Sequence, residues 1–200
     1  MANDIPSIIF VLGAPGSGKG TLCKRVVDEH ARYLHLSVGD YLREICDSKV
    51  DAEIENLDVN RIRYHLRENI LLPSEILIPL LEHKIKSMLH GRTHSHCLLL
   101  DGFPRNEETA LVFAEKICDP LMVVVLGCKR EIAKQRYLSR GREKADDNER
   151  FDKRFNEYEK NMESIEGTYD ELIKKEIQVH GSQEDCYREF SAVLPPEPMF

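Results

Sequence analysis

The sequence predicts an α/β doubly wound fold around a parallel sheet of five strands. Three observations carry this. Short apolar runs alternate with longer segments of helical periodicity. Two of the runs, Cys97-Leu98-Leu99-Leu100 and Val123-Val124-Val125-Leu126, are continuously apolar, as suits strands covered on both faces. The first run, Ile8-Ile9-Phe10-Val11-Leu12, passes directly into the glycine-rich segment Gly13-Ala14-Pro15-Gly16-Ser17-Gly18-Lys19-Gly20-Thr21.

Taken in order, a strand over 7–12 leads into that turn and a helix over 19–30, and a second strand covers 33–36. Residues 37–73 hold no strand and read as short helices, with Leu57, Ile62, Leu66 and Ile70 forming an irregular apolar face. A helix over 74–90 precedes the strand at 97–101, and a helix over 106–117 precedes the strand at 121–127. Helices at 129–140 and 149–175 flank the polar loop 141–148, Gly-Arg-Glu-Lys-Ala-Asp-Asp-Asn. A last strand at 176–180 and a helix at 182–192 follow, and the proline-rich tail from Pro195 to Phe200 is expected to fray. Right-handed crossovers would place the ligand site at the carboxyl ends of the strands, where 13–21 lies.

Two hundred residues suit a single domain over 1–200, with 37–73 and 141–148 as its excursions. Apolar residues make up 42% and charged residues 32%, which suits a soluble protein with a sizeable core. The net charge of −7 argues against general nucleic-acid binding. The apolar runs are too short to cross a bilayer. Met1 to Asp4 carry no positive charge ahead of the first strand, so the expectation is a protein without a signal peptide, in the cytoplasm or the nucleus. Six cysteines, at 23, 46, 97, 118, 128 and 186, form no C-x-x-C pair and read as reduced thiols. His90, His94, His96 and Cys97 cluster before a strand, but their spacing matches no standard zinc pattern.

The 13–21 segment carries the chemistry. Inward-pointing N–H groups of such a turn form a nest for anions, and the helix N-terminus adds partial positive charge. Lys19 brings a full charge to the β/γ-phosphates, and a hydroxyl follows for magnesium. The usual pattern is G-x-x-x-x-G-K-[ST]; here Gly20 follows Lys19 and the hydroxyl comes one place later, at Thr21. Gly13, Pro15, Gly16, Ser17, Gly18, Lys19, Gly20 and Thr21 are therefore candidate ATP-binding residues in a P-loop three-layer α/β/α fold. The alternative is a glycine-rich strand–helix turn that binds nothing. A second segment, Asp101-Gly102-Phe103-Pro104-Arg105-Asn106, follows a buried strand. An acid at that place can hold magnesium through water, with Thr21, or can serve only as a turn residue.

Gly-x-Pro-Gly-x-Gly-Lys-Gly-Thr at 13–21 and D-G-F-P-R at 101–105 resemble the nucleoside monophosphate kinases, the adenylate and UMP/CMP kinase family of short-lid type. Leu36-Ser37-Val38-Gly39-Asp40-Tyr41-Leu42-Arg43 resembles that family's L-S-x-G-D/E-x-L-R segment. Gln135-Arg136, Ser139-Arg140-Gly141, Asp146-Asp147-Asn148 and Lys153-Arg154 resemble its lid region, so the likeness spans about 7 to 192. The resemblance implies transfer of the γ-phosphate of ATP to a nucleoside monophosphate, giving two diphosphates, with Mg2+ as cofactor and the protein acting as a monomer. It implies that 37–73 is the monophosphate-binding insertion and 141–148 a short lid. Ser37, Gly39, Asp40, Arg43, Gly102, Phe103, Arg105 and Asn106 would bind the monophosphate. Lys19, Arg105, Arg140 and Arg154 would act on the transferring phosphoryl group. Arg136 would stack on the donor base, and Gly181 would offer it a backbone carbonyl or be a plain strand–helix turn. Arginine suits these places because its planar fork binds phosphate oxygens bidentately.

The chain departs from the family in its moving parts. The lid lacks S-G-R and is shorter by about two residues, and such segments close over substrate. Arg142 or Lys144 is the candidate replacement for the missing arginine, and Arg150 competes with Arg154 for its role. Residues 37–73 are longer than the usual insertion. As to the acceptor, Val38 stands where adenylate kinases place threonine and UMP/CMP kinases alanine. Asn106 matches UMP/CMP kinases, and Thr109 replaces the glutamine by which adenylate kinases read adenine. The resemblance thus favours a pyrimidine monophosphate over AMP. A nucleotide-binding regulatory protein with weak kinase activity is the reading from another class.

Overall fold

A computed structural model describes residues 7–47, 57–90, 92, 96–140 and 147–195. Among them, a five-stranded, wholly parallel sheet forms the middle layer, in the order β2-β3-β1-β4-β5. The strands are β1 (Ser7–Gly13), β2 (Tyr33–Ser37), β3 (Cys97–Asp101), β4 (Met122–Gly127) and β5 (Lys174–Gln178). The helices are α1 (Lys19–Glu29), α2 (Val38–Cys46), α3 (Val59–Glu68), α4 (Ser74–Leu89), α5 (Glu107–Lys116), α6 (Arg130–Ser139), α7 (Asn148–Gly167) and α8 (Gln183–Val193).

Strand alternation sorts the core into two faces. Ile8, Phe10 and Leu12 join Leu98, Leu100, Val123 and Val125 on one side, against α2, α4, α5 and α7. Ile9 and Val11 join Leu99, Val124, Leu126 and Ile177 on the other, where α1 and α8 supply Leu22, Val26, Tyr187 and Phe190. Central strands with both faces covered explain the unbroken apolar runs. A third, smaller cluster binds α6 to α7: the Tyr137 and Phe151 rings meet edge-on at 5.3 Å, and Phe155 packs on Phe151 at 5.3 Å.

Three expectations need correction. The helix expected over 149–175 ends at Gly167, because Thr168–Ile173 form a turn; Ile173 packs against the core while Leu172 is 83% exposed. The last strand starts at Lys174 rather than 176, since its ladder pairs Val123 with Lys174 and Gly127 with Gln178. As an edge strand it buries only Ile177, so its polar start looked like loop. Pro195 does not fray: its carbonyl accepts from the Tyr33 hydroxyl (2.9 Å) and from Arg32. Within 37–73 the two helices carry an apolar side in which Ile62 is fully buried, whereas Ile70 is exposed. The lid residues 141–146, with Arg142 and Lys144, and His94 lie outside the described residues. All six cysteines are free, and Cys23, Cys97 and Cys186 are buried.

Candidate functional site

A cavity of about 820 Å³ opens beyond the carboxyl ends of β1, β2 and β3. The 13–21 turn forms its floor, α2 and α3 one wall, Asp101–Arg105 another, and arginines from α6 and α7 its roof.

The floor is shaped for an anion. Helix α1 begins at Lys19 with Gly18 as N-cap, at φ 96°, and no side chain caps it. Its first-turn amides therefore look to the turn and the cavity. Gly18 is glycine for its left-handed backbone alone, since a Cβ there would meet nothing within 4 Å. Gly16 is glycine for two reasons: φ is +86°, and a Cβ would come 2.0 Å from the Ala133 carbonyl of α6. The Lys19 ammonium donates to the carbonyls of Gly13 (2.6 Å) and Ala14 (3.0 Å) and to Ser17 Oγ (3.4 Å). Burial pushes its pKa down to about 8; the Asp101 carboxylate opposes this, while Arg154 and Arg105 reinforce it.

Cations converge above this floor. Arg105 Nη2 lies 3.5 Å from Glu157 Oε2. Partial desolvation in the cavity, then the neighbouring Arg154, lowers the Arg105 pKa, with Glu157 opposing; its side chain is still 44% exposed and stays charged at neutral pH. The Arg140 guanidinium sits 4.1 Å from the Tyr137 ring centre and that of Arg154 5.8 Å from the same ring. Lys19, Arg105, Arg140 and Arg154 all line the cavity. Positive groups gathered on one cavity suit an anionic ligand with several oxygens.

Asp101 ends β3, is 7% exposed, and lies 3.5 Å from His35 Nε2. Thr21 and Asp101 both line the cavity, so the two hard oxygen donors named from the sequence face the same space. Among the described residues, no group of three or more His, Cys, Asp or Glu side chains could hold a metal ion by itself.

On the α2 wall, Ser37 Oγ accepts from the Asp40 amide (3.4 Å), and Arg43 Nη2 donates to Asp40 Oδ1 (2.5 Å). Gly39 lies beneath Arg43: a Cβ there would sit 3.4 Å from Nη2. Ser37, Gly39 and Arg43 line the cavity, as do Gly102 and Phe103. Asn106 is the N-cap of α5, its Oδ1 accepting from the Thr109 amide (2.9 Å) and hydroxyl (2.7 Å). It is Thr109, 3% exposed, that contributes α5's part of the cavity wall. Arg136 donates to the carbonyls of Val179 (2.8 Å) and Gly181 (3.2 Å), so its guanidinium is fixed by its edge at the cavity side. The Gly181 carbonyl also accepts from Cys186 Sγ (3.6 Å).

Arg150 and Arg154 both line the cavity but take different partners. Arg154 stands with Lys19 and Arg105, while Arg150 donates from Nε to Asn69 Oδ1 (3.0 Å) and from Nη2 to the Leu66 carbonyl (3.1 Å). Several lining residues went unnoticed in the sequence: Arg63, His65 and Arg67 of α3, Tyr158 and Met162 of α7, and Gln183 and Cys186. For α7 a signal existed. Arg150, Arg154, Tyr158 and Met162 recur every four residues, which is one helical face.

A family model described as adenylate kinase matches residues 11–174. Among curated proteins, the chain is 36% identical to UMP-CMP kinase 3 of Arabidopsis thaliana over 198 residues, covering 96% of this chain and 91% of that protein. It is 31% identical to the UMP-CMP kinase of Homo sapiens, over 96% of this chain and 98% of that one. It is 35% identical to the uridylate kinase of Saccharomyces cerevisiae, over 93% and 89%.

Proposed function

The chain belongs to the adenylate kinase family and is a nucleoside monophosphate kinase, and from that premise we propose that it transfers the γ-phosphate of ATP to UMP or CMP, with 37–73 as the acceptor-binding insertion and 141–148 as the lid. The convergence of Lys19, Arg105, Arg140 and Arg154 on one cavity is the observation that carries the assignment of roles.

Phosphoryl transfer asks for alignment and charge neutralisation rather than covalent chemistry. In this reading the 13–21 amides and Lys19 hold the β- and γ-phosphates of the donor. Arg136, tied by its edge, offers its face to the donor base beside Gly181. Arg43 and Arg105 grip the acceptor's phosphate, approached from Ser37, Gly39, Asp40, Gly102 and Phe103. Arg140 and Arg154 reach the phosphoryl group in transit. Thr21 and Asp101 are the oxygen donors that fit magnesium, Asp101 through water, and the bound metal would neutralise charge on the β- and γ-phosphates. Leu72, Phe103 and Met162 give the cavity apolar surface that keeps water from the reacting oxygens.

The pyrimidine acceptor is supported by the names of the relatives and by α5. Thr109 forms the wall there and supplies no carboxamide to pair with adenine, while Asn106 stands close by at the helix cap. Six free cysteines suit the reducing cytoplasm. No helix among the described residues is long and apolar enough to cross a membrane. A coupled assay with ATP, magnesium and AMP, CMP, UMP or GMP tests the reading. UMP and CMP should exceed AMP in kcat/KM by about tenfold or more. A preference for AMP would overturn the acceptor assignment, and no turnover with any of the four would overturn the phosphotransfer itself.

A further inference from the structure

Helix α7 makes two kinds of contact along one face. Near its start, Arg150 donates to Asn69 Oδ1 (3.0 Å) and the Leu66 carbonyl (3.1 Å), and Lys153 Nζ donates to the Glu68 carbonyl (2.5 Å). All three acceptors belong to the carboxyl end of α3. One turn further, Arg154 stands beside Lys19 and Arg105, and Glu157 pairs with Arg105 at 3.5 Å. We propose that Arg150, assisted by Lys153, is a positioning residue that ties the carboxyl end of α3 to the helix carrying Arg154, so that seating the acceptor and placing the transfer arginine become one event.

The chemistry of both ends fits. The last carbonyls of a helix lack intrahelical partners and carry the negative end of its dipole. Leu66 and Glu68 lie in that last turn, and Asn69 terminates it with a left-handed backbone, φ 50°. Lys153 reaches the Glu68 carbonyl, and Arg150 adds a charged donor to the Leu66 carbonyl, which also accepts from the Asn69 amide (3.4 Å). Arg150 is half-buried, so its charge-assisted bonds are screened less than those of a surface pair.

The link has firm attachments on each side. On the α7 side, Phe151 and Phe155 pack with Tyr137 of α6, and Met162 and Ile165 enter the main core. On the α3 side, Ile62 is fully buried, and Arg63 donates to the Cys46 carbonyl at the end of α2 (2.8 Å). Helix α2 carries Arg43. A continuous mechanical path thus runs from Arg43 through α2 and α3, across Arg150, to Arg154.

The proposal rests on the reading that 37–73 holds the acceptor, and the experiment separates the two. Steady-state kinetics are measured with the best-turned-over monophosphate for the intact enzyme and for Arg43→Ala, Arg150→Met, Asn69→Gly and the Arg150→Met/Asn69→Gly pair, with thermal melting as a folding control. Glycine keeps the left-handed backbone at 69 and removes only the side-chain acceptor. Arg150→Met should raise the acceptor KM by about tenfold, the scale of losing charge-assisted hydrogen bonds, and leave the ATP KM within about twofold. Asn69→Gly should raise the acceptor KM less and add nothing once Arg150 is gone. Arg150→Lys should recover part of the loss.

If Arg43→Ala leaves the acceptor KM unmoved, the acceptor-side reading fails. If Arg43→Ala raises it and Arg150→Met does not, the tie fails alone. A fall in kcat by about a hundredfold with unchanged KM would make Arg150 a phosphate ligand and overturn the positioning role. Multiplicative effects of Arg150→Met and Asn69→Gly would also overturn it.

Discussion

At the scale of single residues, Lys19 and Arg105 are two of the cations that line the cavity, and their loss should be severe. Lys19→Ala and Arg105→Ala are each expected to lower kcat/KM by at least about 10²-fold in steady-state assays, as removal of a charge on transferring phosphate does. A loss of tenfold or less would remove them from the roles given above. Lys19 also sets a pH limit. Its pKa is lowered to about 8, so the unliganded enzyme sheds this charge as pH rises through 8. kcat/KM for ATP should therefore decline above about pH 8, while kcat at saturation should decline at higher pH, because bound phosphates favour the protonated lysine. A flat kcat/KM profile to pH 10 would contradict this. Arg105, whose lowered pKa stays above that of Lys19, keeps its charge while Lys19 titrates near pH 8. The motif made Lys19 and Thr21 legible despite the displaced hydroxyl. It could not separate Arg150 from Arg154, because that depends on where α3 ends in space. Nor could it show that Asn106 adopts an extended backbone, φ −153° and ψ 165°, and spends its oxygen on capping α5.

At the scale of elements, the strands of the sheet centre were readable because burial on both faces leaves an unmistakable apolar run. The edge strand β5 was misplaced by two residues because hydrogen bonding, not burial, defines it. The overrun of α7 has a similar origin: Tyr169 and Ile173 continue the apolar recurrence and pack on the core, but from a turn. The turn between β1 and α1 offers a test of how elements meet. Gly16→Ala would drive a methyl group into the Ala133 carbonyl of α6, whereas Gly18→Ala would meet open space and bear only backbone strain of about 1–2 kcal/mol. Gly16→Ala should therefore lower Tm more than Gly18→Ala and weaken ATP binding by at least about tenfold, since α6 also carries Arg136. Calorimetry and thermal melting would read both; equal effects at the two glycines would refute the packing argument.

At the scale of the whole molecule, the cavity draws on segments far apart in the chain and close only because the sheet order sets β1 between β3 and β4. The likeness to UMP-CMP kinases over nearly the whole chain fits that frame, and the sequence was sufficient for fold class and family and for picking out the turn that floors the cavity. What it could not reveal were contacts between excursions, such as α3 meeting α7, since no local pattern encodes which helix ends approach each other. Tyr137 carries a consequence of another kind. The chain has seven tyrosines and no tryptophan, so its near-ultraviolet emission comes from tyrosine alone. The Tyr137 ring lies beneath Arg140 and Arg154, in the field of the two guanidiniums assigned to the moving phosphoryl group. Were bound phosphate to draw those guanidiniums from the ring, tyrosine emission would change on nucleotide binding, with no added label.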